Sequence, residues 1–262
     1  MSHPIDLQRR GTVAWLALAR PEVHNAFDAG LIGALNTVLD ALAADDGVRA
    51  LVLTGQGSTF SAGADLHWMR GMAKASEAEN LADSLELARL MRTLNFFPKP
   101  TIARVNGSAY GGGVGLVACC DMAIAVEGAK FSLSEAKLGL VPAVISPYVV
   151  AAIGARQARK LFQTAEVFEA PEAARIGLLH RCVPAAELDE AVDRELHWLG
   201  KGGPIAQAEA KTLALRMGGM AREEAERIDA ENARLIARLR VSPEGQEGLG
   251  AFLDKRAPRW VG

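Results

Sequence analysis

The chain has 262 residues, 50% of them hydrophobic and 23% charged, enough for one large domain with a full core. Twenty-nine Lys and Arg against 31 Asp and Glu leave a net charge of −2, which argues against non-specific nucleic-acid binding through a positive field. Intrinsic disorder and a disulfide scaffold are excluded on the same composition, and glycine, at 26 residues, is the count in excess.

The start of the chain is polar, without an apolar segment before a small-residue cleavage site, so no secretory leader is expected. Residues 12–19 alternate and run apolar between Gly11 and Arg20-Pro21, which predicts a strand. Asp28 is positioned to cap a helix reaching about residue 44, with Leu31, Leu35, Val38, Leu39 and Leu42 along it. Residues 50–54 form a short apolar strand, and a loop is expected from Gly55 to about Ala75. Ser76 followed three residues later by Glu79 is a capping box, opening a helix to about Leu94. A strand over 101–105 leads into the glycine-rich segment 106–115, and an apolar helix follows to Cys120. Strands are predicted over 121–126 and 130–133. After about Ser146 the strands are expected to stop and helical patterns to dominate. A mixed α/β core followed by a helical region is the predicted architecture. Residues 222–239 read as one helix with Ala225, Ile228, Leu235 and Leu239 on a face that meets either its own core or another subunit.

Cys119, Cys120 and Cys182 have no metal-ligand spacing and read as free thiols of a reducing, cytoplasmic environment. The five histidines show no pair at ligand spacing, so no metal site is expected. No apolar run approaches the roughly 18 residues of a membrane span. The hydrolase signature Gly-x-Ser-x-Gly is missing.

Two segments that follow strands offer backbone chemistry: Phe60-Ser-Ala-Gly-Ala-Asp65 and Asn106-Gly-Ser-Ala-Tyr-Gly-Gly-Gly-Val-Gly115. Consecutive glycines where a helix begins leave unpaired N–H groups facing outward, and the positive helix end favours a negative oxygen there. One N–H from each loop would make an oxyanion hole. Close packing alone is the competing reading of such glycines. A second competitor is the dinucleotide pattern, which Gly113, Gly115 and Ala118 match formally, with Glu135 twenty residues on. The insertion between the strand and that match is too long for the tight turn the pattern needs.

In order and spacing, Arg20-Pro21, Asn25-Ala26, Phe60 to Asp65, Asn106-Gly107, Gly111 to Gly113, Cys120-Asp121, Ser134-Glu135, Gly139-Leu140 and the stretch from Glu244 to Arg256 closely resemble the crotonase (enoyl-CoA hydratase/isomerase) superfamily, over essentially the whole chain. The resemblance implies an α/β spiral of ββα units over 1–198 and an α-helical trimerisation region over 199–262. It implies an acyl-CoA thioester as partner, with CoA entering as part of the substrate and no separate cofactor. It further implies a homotrimer or a hexamer built from two trimers.

Carried over by position, the N–H groups of Ala64 and Gly112 would polarise the thioester carbonyl. Ala62, Ala64, Asp65, Leu66 and His67 would run along the CoA, and Phe252 and Lys255 would meet its nucleotide. Glu22 stands where many members carry a Lys for the CoA phosphate. Glu135 aligns with the second of two glutamates used by family hydratases, whereas Gly115 occupies the place of the first. Set among Leu133, Leu138 and Leu140, Glu135 is expected to have a raised pKa suited to acid–base work. His67 and Trp68 follow the first oxyanion loop, and their side chains read as packing or exposed, with a place in the pocket lining as the alternative.

A single carboxylate is compatible with hydration or with double-bond isomerisation. The stretch from Phe131 to Tyr148 is similar to bacterial methylglutaconyl-CoA and isohexenylglutaconyl-CoA hydratases, which favours hydration of a branched dicarboxylic acyl group. A non-catalytic acyl-CoA-binding or RNA-binding member is disfavoured by Glu135, both oxyanion motifs and the lack of basic excess.

Overall fold

The computed structural model describes residues 3–262. Two sheets organise the chain. The larger has the order β1 (Ile5–Arg10), β2 (Val13–Leu18), β3 (Ala50–Gly55), β5 (Thr101–Val105), β7 (Met122–Val126) and β10 (Arg181–Val183). Beyond the antiparallel β1–β2 pair, its neighbours run parallel. The smaller has the order β4 (Thr59–Ser61), β6 (Ser108–Tyr110), β8 (Lys130–Ser132) and β9 (Phe168–Glu169).

The helices are α1 (Ala29–Ala44), α2 (Leu66–Lys74), α3 (Glu77–Asn95), α4 (Gly112–Cys119), α5 (Ser146–Thr164), α6 (Ala170–Arg175), α7 (Leu188–Leu199), α8 (Pro204–Met217), α9 (Arg222–Arg240) and α10 (Pro243–Leu253). Three times a long strand of the first sheet is followed by a short strand of the second and then by helix: β3-β4-α2, β5-β6-α4 and β7-β8-α5. The fold is thus a succession of ββα units with helices gathered toward the C-terminus.

Alternation along the large sheet explains why both of its faces are covered. Leu16, Leu18, Leu51, Leu53, Ala103 and Val105 face one way into the main core, together with Leu31 and Leu35 of α1 and Leu90 and Leu94 of α3. Trp15, Val52, Ile102 and Ile124 face the other way and meet Leu188, Ala191 and Val192 of α7. The helix starts follow local chemistry. Asp28 accepts from the Leu31 N–H, and Ser76 and Glu79 make both hydrogen bonds of the capping box. Ile236 of α9 and Leu249 of α10 join the same main core. The helix over 222–239 therefore packs on its own chain. Its buried positions are Ala225, Asp229, Ala233, Ile236 and Ala237, and Leu235 and Leu239 of the face read from the sequence pack half-buried against the same core.

Four expectations are corrected. β1 was not anticipated, because half-exposed edge strands carry little apolar signal. The segment 55–75 is not a loop but holds β4 and α2. Strands do not stop at Ser146, since β9 and β10 follow. The helix after the glycine run begins inside it, at Gly112. Cys119 and Cys120 are buried and Cys182 half-buried, all three free. Among the described residues no helix is long and apolar enough to cross a membrane.

Candidate active site

The small sheet determines what meets at the site. β4, β6 and β8 are parallel neighbours, pairing Ser61 with Ala109 and Tyr110 with Ser132. Their C-terminal ends therefore emerge side by side, at the ~5 Å spacing of adjacent strands. Three residues beyond β4 is Ala64, two beyond β6 is Gly112, and three beyond β8 is Glu135. All three line one cavity of about 390 Å³.

Two glycines let the loops approach. A Cβ on Gly63, whose φ is +82°, would come within 2.9 Å of the Tyr110 carbonyl oxygen. A Cβ on Gly111, at φ +48°, would come within 3.2 Å of the Glu135 Oε1. The carboxyl thus lies against the residue that precedes the Gly112 donor. Gly112 is the first residue of α4, so its N–H has no intrahelical acceptor. Ala64 forms a bridge with Phe27, in which the neighbouring Asp65 N–H and Gly63 carbonyl make the hydrogen bonds. Neither the Ala64 nor the Gly112 N–H has an acceptor among the described residues. They form a pair of free donors of the kind that stabilises an oxyanion.

Glu135 sits in a 3₁₀ turn, Ser134–Leu138. Its Oε2 is sequestered from solvent and has no hydrogen-bond partner among the described residues. Burial disfavours the charged form and pushes its pKa up to about 7, against a slight opposing hydrogen bond from its own backbone N–H. α10 rests directly on this turn, where a Cβ on Gly248 would fall 2.3 Å from the Leu138 carbonyl.

Two of the motif positions that carry the resemblance, Arg20 and Asn25, brace the first loop. Asn25 is buried and donates to the carbonyls of Gln56 and Thr59, both at 2.8 Å. Arg20 donates to the Ala26 carbonyl at 2.6 Å and pairs with Asp28 at 2.8 Å and Asp65 at 3.3 Å. Asp65 also caps α2 by accepting from the N–H groups of His67 and Trp68. Arg20→Gln leaves two mostly buried carboxylates without their cation, and we expect a loss of about 2–4 kcal/mol by denaturant unfolding.

Of the positions carried over by resemblance, Ala62, Ala64, Gly112, Glu135 and Phe252 line the cavity. Asp65, Leu66, His67 and Lys255 do not. Leu66 is half exposed, His67 and Lys255 are exposed, and Glu22 is exposed as well. Trp68 takes the pocket-lining alternative and is a wall residue, as are Met69, Met72 and Leu87. Arg240 on α9 is a wall residue that sequence reading missed. Its one signal is spacing, four residues after the buried Ile236 and so on the same helix face.

The missing glutamate position is filled. A Cβ on Gly115 would lie 2.3 Å from Ile145 Cγ2 and 3.2 Å from Met91 Cε. Ile145 is itself buried and part of the cavity wall. An isoleucine thus stands where a second carboxylate would project.

A structure of an enoyl-CoA hydratase from Shewanella pealeana superposes with a TM-score of 0.81 at 45% identity, covering 98% of this chain and 96% of that one. The chain is 33% identical to the 2,3-dehydroadipyl-CoA hydratase of Escherichia coli over 257 residues, 98% of each protein. It is 32% identical to the crotonyl-CoA hydratase of Syntrophomonas wolfei over 265 residues, 98% of this chain and 97% of that protein. The family model for enoyl-CoA hydratase/isomerase matches residues 8–262. With two free backbone donors, one sequestered carboxyl and this likeness over nearly its full length, the chain belongs to the enoyl-CoA hydratase/isomerase family.

Proposed function

We propose that the protein adds water across the 2,3 double bond of an enoyl-CoA, using Glu135 as its one acid–base group, and that its substrate is 3-methylglutaconyl-CoA. The observation that carries the reading is the Glu135 carboxyl, with its Oε2 unpartnered among the described residues and its pKa raised to about 7, beside two unpaired N–H donors. A carboxyl poised near neutrality both takes and returns a proton readily.

The N–H groups of Ala64 and Gly112 hold the thioester oxygen and draw electron density from Cβ. Glu135 takes a proton from water as the water oxygen bonds to Cβ. The π electrons move onto the thioester oxygen as an enolate. Glu135 then returns the proton to Cα, and the net change is addition of one water. Every step is redox-neutral acid–base chemistry, so the reading calls for no cofactor beyond the CoA that is part of the substrate.

The choice of acyl group rests on the resemblance of residues 131–148 and on the dicarboxylic acyl-CoA named in the Escherichia coli relative. Steady-state kinetics on crotonyl-, 3-methylglutaconyl- and isohexenylglutaconyl-CoA, with mass analysis of the product, test it. Gain of one water with 3-methylglutaconyl-CoA preferred is the expected result. A product of unchanged mass would identify an isomerase, and preference for crotonyl-CoA would refute the dicarboxylic substrate.

A cytoplasmic homotrimer, or two stacked, is part of the proposal. It is supported by α8, which buries no side chain of its own and exposes Ile205, Leu213 and Met217. Phe252, half exposed beside the cavity, is then available to a CoA nucleotide. With Glu22 in place of a cation, the CoA phosphates must be met elsewhere.

A further inference from the structure

We propose that Arg240 receives a carboxylate at the distal end of the acyl chain and thereby selects dicarboxylic acyl thioesters over monocarboxylic ones. The inference rests on the reading that the cavity takes an enoyl-CoA, and it adds the residue that decides which.

Arg240 is the last residue of α9 and lies on the cavity wall with Trp68, Met69, Met72, Leu87 and Ile236. Apart from Arg240 these are apolar or aromatic side chains, an expensive place for a fixed charge unless it is paired. The wall is built by α2, α3 and α9, none of which supplies Ala64, Gly112 or Glu135. Asp83, one turn before Leu87 on α3, approaches Arg240 Nη1 at 3.2 Å. Asn80 Oδ1 at 3.2 Å and Ser84 Oγ at 3.4 Å contact the same nitrogen.

Protein contacts therefore concentrate on one corner of the guanidinium. Nε and Nη2 carry three of its five N–H bonds and have no acceptor among the described residues. That free edge has the fork geometry that a carboxylate takes with two parallel hydrogen bonds. The Trp68 ring, 5.9 Å from the guanidinium carbon, flanks the group. Arg240 and Asp83 are both mostly buried, with side chains 14% and 12% exposed. Desolvation outweighs their mutual attraction, raising the Asp83 pKa and lowering that of Arg240. A second carboxylate on the free edge would relieve the cation of that deficit.

The other cations on the cavity wall are less suited. Arg256 is engaged on both Nη atoms by Glu247, at 2.7 and 3.1 Å, and Lys137 is exposed to solvent. Neither is a half-paired charge enclosed among apolar side chains.

The test is equilibrium binding of two saturated five-carbon thioesters, glutaryl-CoA and pentanoyl-CoA, by calorimetry. Charge-assisted hydrogen bonds of this kind predict a wild-type preference for glutaryl-CoA of about tenfold or more. Arg240→Gln should abolish the preference and Arg240→Lys retain part of it. Asp83→Asn leaves Arg240 in place with its compensating charge removed, and should strengthen glutaryl-CoA binding several-fold. It also serves if Arg240→Gln does not fold. A preference that survives Arg240→Gln, a wild type that binds pentanoyl-CoA as well or better, or an Asp83→Asn variant that loses the preference would each overturn the assignment. Hydration of both 3-methylglutaconyl-CoA and crotonyl-CoA by wild type is followed in parallel. Turnover without a glutaryl preference overturns Arg240 alone. No turnover overturns the hydratase reading, while the binding series still decides the carboxylate site.

Discussion

Glu135→Gln is expected to lower kcat by about a thousandfold while leaving thioester affinity close to that of wild type. General acid–base groups contribute roughly 10²–10⁴ in rate, and no second carboxyl stands beside Glu135 to substitute, since Ile145 fills that space. Glutamine has nearly the same shape, and the Ala64 and Gly112 donors proposed to hold the thioester oxygen are untouched. Near-normal turnover in this variant would remove Glu135 from the reaction.

Two pH effects accompany that prediction. The carboxyl must be ionised to take a proton from water, so kcat/KM should rise with pH and level off above about 7. In the folded protein the pKa is raised from 4.5 to about 7, so the folded state binds more protons than the unfolded one between those values. Stability is therefore present below about 4.5 and is lost progressively as pH rises to 7. Glutamine cannot ionise and escapes that loss. Glu135→Gln should consequently melt at a higher temperature than wild type at pH 8, with the difference disappearing at pH 4.5. A catalyst that is destabilised by its own acid–base group is the physical content of the raised pKa.

Gly115→Glu should fail as a repair of the missing glutamate. We expect it to lower stability by about 3–5 kcal/mol, read as a shift in the urea midpoint, because overpacking and a buried unpaired charge act together. The first atom of any side chain at 115 already overlaps Ile145 Cγ2 at 2.3 Å. Ile145→Ala alone opens a cavity and should cost about 2–4 kcal/mol. The double variant Gly115→Glu/Ile145→Ala should be more stable than Gly115→Glu, since each change accommodates the other. Additive losses would show that Ile145 is not what excludes a side chain at 115.

Elements with a strong local pattern were legible in the sequence. The buried strands β2, β3, β5 and β7 read as apolar runs, and α1 and α3 announced themselves through Asp28 and the Ser76–Glu79 pair. The site residues Ala64, Gly112 and Glu135 were legible as motif positions, and the structure brings all three to one cavity. The small sheet was only partly legible. β4, β6 and β9 are three residues or fewer, and partners far along the chain hold them in place rather than their own propensity. α2 escaped because it is short and interrupted by Gly71, so its start depends on the Asp65 cap, which Arg20 secures from 45 residues away. Arg240 was invisible for a different reason. A basic residue ending a charged helix normally faces water, and only the packing of α9 against α3 turns it inward.

The parallel trio β4, β6 and β8 has an evolutionary corollary. In the proposed mechanism carbonyl polarisation comes from main-chain atoms at the ends of two strands, so no substitution removes the donor groups themselves, provided Gly63 and Gly111 keep the loops close. Proton handling comes from one side chain at the end of the third. On that reading, a single substitution in the third loop changes the proton chemistry while the main-chain donors of the other two stay in place. The layout separates what a lineage must keep from what it is free to try.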